Sequence, residues 1–173
     1  MNYHKIEKTS VANGEGIRVV LWVSGCSLYC RGCHNPETWY LSSGKLFDED
    51  AKKELFGALD KPYIQGITFS GGHPLEDENL LQIYKLVQNI RIYHKTKDIW
   101  LYTGLTWEDI MSKDDDITDK LRQVIVSMCD VVVDGKYIDE LRDLTLRFRG
   151  SKNQRVIDVK KTLEYGDVVL WCD

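Results

Sequence analysis

No stretch of this 173-residue chain strings together the roughly 20 apolar residues that a membrane-spanning helix needs, so a membrane protein is not expected. The opening Met1-Asn2-Tyr3-His4-Lys5-Ile6-Glu7 lacks the charged-then-apolar layout of a secretory signal. A surplus of positive charge is also missing. Twenty-three basic residues face 27 acidic ones, for a net charge of −4, which argues against a general nucleic-acid binder. There is no internal repeat and no low-complexity segment. Cysteines number five, an odd count with no sign of export, so a disulfide framework is not expected and free thiols point to a reducing cytoplasm. What remains is 43% hydrophobic and 29% charged, the composition of a soluble globular protein, with a length that suits one domain over 1–173.

Three of the five cysteines fall within eight residues, in Gly25-Cys26-Ser27-Leu28-Tyr29-Cys30-Arg31-Gly32-Cys33-His34. Their spacing is C-x3-C-x2-C, directly after the apolar run Ile17-Arg18-Val19-Val20-Leu21-Trp22-Val23. The run reads as a buried strand and the cysteines as a loop leaving its carboxyl end. Three thiolates on one short loop can grip three corners of a cubane [4Fe-4S] cluster, because thiolate is the soft ligand that such iron prefers. The fourth iron would then stay open to an exogenous ligand. A Cys3His zinc site with His34 as fourth ligand is the competing reading, although His34 and Cys33 are adjacent and both would have to bend onto one metal.

Asn13-Gly14-Glu15-Gly16 is a flexible turn feeding the first strand. Asp48 is expected to cap a helix through Leu59 with Ala51, Leu55, Ala58 and Leu59 on one face. A second strand, Gly66-Ile67-Thr68-Phe69-Ser70, ends in Gly71-Gly72-His73-Pro74, and a long helix follows over Asp77 to His94. The third strand is Ile99 to Thr103, before Gly104. Short helices follow at Trp107 to Met111 and Ile117 to Val126. Asp114-Asp115-Asp116 between them resembles a metal-binding run but reads as a solvated helix cap, since no partner ligands flank it. The fourth strand is Val131 to Asp134, before Gly135, and the fifth Arg155 to Val159. Val168 to Trp171 suggests a last one. The alternation implies a parallel sheet with right-handed crossovers. Too few strands are present for a closed barrel, so the expected fold is α/β, a partial, open parallel (β/α) barrel of about five to six strands. Gly25, Gly71, Gly104 and Gly135 mark strand ends on one rim, where backbone can approach a ligand.

Together these features resemble the radical S-adenosylmethionine superfamily. Asn13-Gly14-Glu15-Gly16-Ile17-Arg18, Gly32 to Trp39, Tyr102 to Glu108, Val133 to Tyr137 and Arg149 to Arg155 narrow the resemblance to the activating proteins of anaerobic (class III) ribonucleoside-triphosphate reductase. The similarity runs from about Asn2 to Val159. It implies an enzyme that cleaves S-adenosylmethionine reductively to a 5′-deoxyadenosyl radical, which takes a hydrogen from a glycine of the reductase and leaves a glycyl radical there. Cys26, Cys30 and Cys33 would be the cluster ligands. Gly32 and His34 match positions near the adenine end of the nucleoside, and Gly71-Gly72 matches the motif whose backbone meets the methionyl ammonium. Asp134 and Lys136 either face the same cavity or form an ion-paired surface couple. The superfamily commonly has an acidic residue after the two glycines, where this chain has His73, so the backbone is expected to carry that contact.

The resemblance also implies partners: the reductase catalytic subunit, an electron donor such as flavodoxin, and a possible homodimer. The basic run Arg147, Arg149, Lys152 and Arg155 is either a solvated loop or a docking surface for the reductase or an acidic electron donor. Cys129 and Cys172 lack the spacing of a second cluster and read as structural thiols. Another glycyl-radical activase or a small-molecule radical enzyme would use the same cofactors. A structural zinc module is the non-enzymatic alternative.

Overall fold

Side-chain alternation along the strands decides the architecture. In the computed structural model, which describes residues 1–112 and 116–172, the strands are β1 (Asn2–Ser10), β2 (Arg18–Val23), β3 (Lys45–Leu46), β4 (Gly66–Gly71), β5 (Asp98–Tyr102), β6 (Val131–Asp134) and β7 (Arg155–Asp158). The helices are α1 (Glu49–Leu59), α2 (Asp77–Tyr93), α3 (Trp107–Ser112), α4 (Ile117–Ser127) and α5 (Val159–Tyr165). Val19, Leu21, Val23, Ile67, Phe69, Ile99, Leu101, Val132 and Ile157 point to one face and join a core with Leu55, Leu80, Ile83, Val87, Ile110, Ile125 and Val159 of the helices. Their intervening neighbours point the other way, where Trp100, Val131, Val133 and Val156 form a smaller cluster beside Tyr102 and Phe148. The helices therefore cover one face, and the other is left to the site.

The seven strands run in the order β3-β1-β2-β4-β5-β6-β7 in a single sheet. The middle is parallel: β2 pairs with β4, β4 with β5 and β5 with β6. Both margins are antiparallel, β1 on β2 and β7 on β6. This corrects the expected all-parallel set of five to six strands. Residues 2–10 carry a polar, half-exposed strand with no apolar run to announce it. The connection from β6 to β7 contains only a short 3-10 turn, Asp139–Leu141. A parallel return needs a substantial crossover, usually a helix, and an antiparallel one does not. The expected last strand at Val168 to Trp171 is a single bridge, Leu170 to Ile157, flanked by Asp158 N–H donating to Val169 O (2.9 Å) and Trp171 N–H to Val156 O (2.7 Å).

Helices α1 and α4 begin where their caps place them. Asp48 accepts from Ala51 N–H at 2.9 Å, and Asp116 accepts from Thr118 and Asp119 N–H at 2.8 and 3.0 Å. Asp114 and Asp115 lie outside the described residues. Among the described residues no helix is long and apolar enough to cross a membrane.

Beneath the open face Arg18 is fully buried. It is ion-paired to Asp98, donates to Thr68 Oγ1 at 2.9 Å and to the carbonyl oxygens of Glu15 and Ile67 at 2.9 and 2.8 Å, and lies 5.2 Å from the Trp100 ring centre. Thr68 in turn donates to Asn13 O at 2.7 Å, so the Asn13-Gly14-Glu15-Gly16 turn is drawn under the sheet.

Candidate functional site

The carboxyl ends of β2, β4, β5 and β6 open onto one cavity of about 540 Å³. Cys26, Cys30, Gly32, Cys33 and His34 line it from the cysteine loop, and Gly71, Gly72 and His73 from the end of β4. Thr103, Gly104 and Gly135 close the far rim, with Tyr137, Leu146, Phe148 and Arg149 along the β6–β7 connection. Gly71, Gly104 and Gly135 of the four strand-end glycines thus meet the cysteines at one site, while Gly25 lies outside the lining, against Leu41 and Asn79. Close backbone approach explains two of the glycines. Gly71 has φ +105°, and a Cβ there would stand 2.6 Å from Val23 N; on Gly72 it would stand 2.5 Å from Gly25 O. Tyr29 (φ 43°) and Phe148 (φ 59°), the non-glycine residues with positive φ among the described ones, sit in the cysteine loop and in the cavity wall. Backbone strain of this kind concentrates at functional sites.

The loop treats its sulfurs as acceptors. Asn35 N–H reaches Cys33 Sγ at 3.4 Å. Burial pushes the Cys26 thiol up, opposed by backbone N–H groups of Leu28 and Tyr29. Burial raises Cys30 as well, opposed by the Lys136 ammonium and the Tyr137 N–H. The amides and the Lys136 charge work against burial, toward the thiolate form that iron binds, while burial remains the larger influence on both thiols. This donor set fits an iron–sulfur cluster. Among the described residues no three or more His, Cys, Asp or Glu side chains are drawn together as a ready-made metal site.

A family model described as a 4Fe-4S single cluster domain matches residues 12–157. The chain is 42% identical over 156 residues to the anaerobic ribonucleoside-triphosphate reductase-activating protein of Enterobacteria phage T4, covering 90% of this chain and 93% of that protein. It is 39% identical over 158 residues to the protein of the same name from Escherichia coli K12, covering 90% and 97%. A Vibrio cholerae relative is 39% identical over 156 residues, covering 89% and 96%. The chain belongs to this family of activating proteins. An iron–sulfur cluster is accordingly part of its chemistry.

Not every residue singled out in the sequence reaches the cavity of this activating-protein fold. Asp134 is buried with its carboxylate already engaged: it accepts from Trp107 N–H at 2.8 Å and from Arg155 Nε at 3.0 Å. Its ion partner is Arg155, not Lys136. Lys136 is outside the lining, and its charge is felt at Cys30. In the basic run, Arg155 is further tied to Glu108 and Lys152 faces Asp143 at 3.6 Å, while Arg147 lies over the Phe148 ring. Cys129 is buried and donates to Ile125 O at 3.3 Å, and burial drives its thiol pKa far up. Cys172 packs beside the Trp100 cluster.

His73 is buried, with Nε2 2.8 Å from Thr103 Oγ1 and Nδ1 3.5 Å from Glu76 Oε2. Leu105 N–H donates to the same Thr103 oxygen at 3.1 Å, so this hydroxyl joins the His73 ring to the backbone after β5. Glu76, Asn79 and Thr103 are site-building residues that the sequence did not single out. A Glu just ahead of a helix and a Thr at a strand end carry no pattern of their own.

Proposed function

We propose that this chain generates a glycyl radical on an anaerobic ribonucleoside-triphosphate reductase, using S-adenosylmethionine and a [4Fe-4S] cluster held by Cys26, Cys30 and Cys33. The observation that carries the reading is the meeting of three thiols and the Gly71-Gly72 backbone in one open cavity, in a chain whose relatives are named as activators of that reductase. We read the open sheet as the partial barrel of the radical S-adenosylmethionine superfamily. The cluster, when bound, supplies the electron that splits S-adenosylmethionine, and the 5′-deoxyadenosyl fragment then takes a hydrogen from a glycine of the reductase.

The chain's own residues position and exclude. Gly32 and His34 sit where the nucleoside would lie. Gly71 and Gly72 offer backbone at close approach for the methionyl ammonium. The His73 carbonyl contributes less, because it already accepts from Glu76 N–H at 3.0 Å and Asn79 Nδ2 at 3.1 Å. Lys136 acts on the Cys30 sulfur through its charge, and Asp134 supports the rim by holding Arg155 and the start of α3. A cavity open on one side admits a glycine-bearing segment of a protein substrate, and an electron donor such as flavodoxin would reduce the cluster from outside.

The test uses anaerobically reconstituted protein mixed with S-adenosylmethionine, a strong reductant and the reductase. A glycine-centred doublet in the electron paramagnetic resonance spectrum, with 5′-deoxyadenosine formed, is the expected result. Deoxyadenosine without the doublet would reassign the substrate. Neither product from a protein that holds zinc would overturn the reading.

A further inference from the structure

The first turn of α2 is built against the usual habit of helix starts. Glu76 occupies the N-cap position, where Ser, Thr, Asp or Asn would normally bond the free amides, yet its side chain makes no capping bond. The carboxylate turns instead to the cysteine loop, where Oε2 accepts from Ser27 N–H at 2.9 Å and from Ser27 Oγ at 3.2 Å. Asn79, three residues on and fully buried, does the same from the other side. Its Nδ2 donates to Ser24 O at 2.9 Å and to His73 O at 3.1 Å. Ser24 and Ser27 bracket Gly25-Cys26, and the Gly25 carbonyl accepts from His73 N–H at 2.7 Å. The Gly25-Cys26 stretch is thus gripped on both flanks by a helix whose N-cap side chain makes no capping bond of its own.

We propose that Glu76 and Asn79 are positioning residues for Cys26, a clamp that holds this thiol in the geometry a cluster requires. The inference rests on the assignment of Cys26 as a ligand. It concerns residues outside the cysteine and glycine motifs, and it gives His73 a role through its contact with the Glu76 carboxylate rather than through a cofactor.

The test is made on reconstituted protein and needs neither S-adenosylmethionine nor reductase, so it can fail while the proposed activity stands. Glu76→Ala and Asn79→Ala should lose the iron–sulfur absorbance to a chelator roughly tenfold faster than the unaltered chain, the equivalent of one charge-assisted hydrogen bond lost in the first and of two neutral ones in the second. The reduced cluster should show an altered paramagnetic resonance line shape. Glu76→Gln, whose amide oxygen can still accept from Ser27 N–H, should restore the lifetime to within about threefold. Thermal unfolding of the metal-free variants separates clamping from general damage. Hydrogen exchange at Ser27 N–H in the unaltered protein keeps the test independent of whether the variants fold, since a clamped amide must be slow. Wild-type chelator lifetime and line shape in both alanine variants, or free exchange at Ser27, would overturn the proposal. Loss of the cluster in Cys26→Ala together with an unchanged Glu76→Ala would sink the clamp alone and leave the ligand assignment intact.

Discussion

Both ring nitrogens of His73 are occupied, Nε2 by Thr103 at 2.8 Å and Nδ1 by Glu76 at 3.5 Å, so this imidazole shapes the cavity wall without offering it a free polar atom. A His73→Ala variant should therefore still bind S-adenosylmethionine, weakened by up to about tenfold as the wall relaxes, which corresponds to roughly one hydrogen bond of positioning. Equilibrium dialysis on reconstituted protein reads this directly, and complete loss of binding would return the contact to the side chain. Glu76 carries a pH signature. The hydrogen bond from His73, then those from Ser27, hold its carboxyl down from 4.5 to about 2 against the opposing effect of burial. A carboxyl depressed in the folded state binds fewer protons there than in the unfolded chain, so its stabilisation is complete above 4.5 and drains away as the pH falls toward 2. Thermal midpoints of the metal-free protein across that window should fall more steeply for the unaltered chain than for Glu76→Gln. Equal slopes would show that the carboxylate does not matter to the fold.

At the scale of elements, the parallel strands and the helices between them were legible because apolar content and caps mark them. Val131-Val132-Val133-Asp134 stands as a strand with the expected bounds, and Asp48 caps α1 as read. Asp48→Ala should cost about 1 kcal/mol in denaturant unfolding. What was not legible lacks such marks. β1 is polar and draws its place from pairing with β2, through Tyr3 opposite Val23 and Ile6 opposite Leu21. The antiparallel β7 follows from a connection without a crossover helix, which strand composition alone does not express. Arg18 is read from the sequence as part of an apolar run and of the segment Asn13 to Arg18 that carries the resemblance, with no structural role assigned, yet it is fully buried. Its burial is tolerable because Asp98, Thr68 and two carbonyl oxygens satisfy the guanidinium. Arg18→Met keeps much of the volume but strands those acceptors, and should destabilise the metal-free chain by roughly 3 kcal/mol. A loss under about 1 kcal/mol would mean that water replaces the guanidinium without penalty.

For the whole molecule, the question is how a protein substrate meets a cavity lined by Asn13 of the first turn and by the cysteine loop. The free margin is the β6–β7 connection. It is stiffened by Asp143 N–H to Gly150 O at 3.1 Å, Lys152 N–H to Leu141 O at 3.0 Å, and Gln154 Oε1 accepting from Gly150 and Ser151 N–H at 3.0 and 3.2 Å. On this margin Leu144 is 83% exposed and lines the mouth of the cavity together with Leu146 and Phe148. Because Arg155 and Lys152 face acids of their own chain and Arg149 lines the cavity with its Nε buried, a docking role for the basic run narrows to the exposed Arg147. An exposed aliphatic side chain on a stiff rim costs little entropy to bury against a partner, and such anchors dominate binding energy where they are desolvated. Leu144→Asp should therefore cut glycyl-radical formation on the reductase by roughly tenfold or more, while deoxyadenosine production without reductase stays within about twofold. The two readouts divide the outcomes. Loss of both would place Leu144 in the cofactor site, and loss of neither would move the docking surface away from this margin.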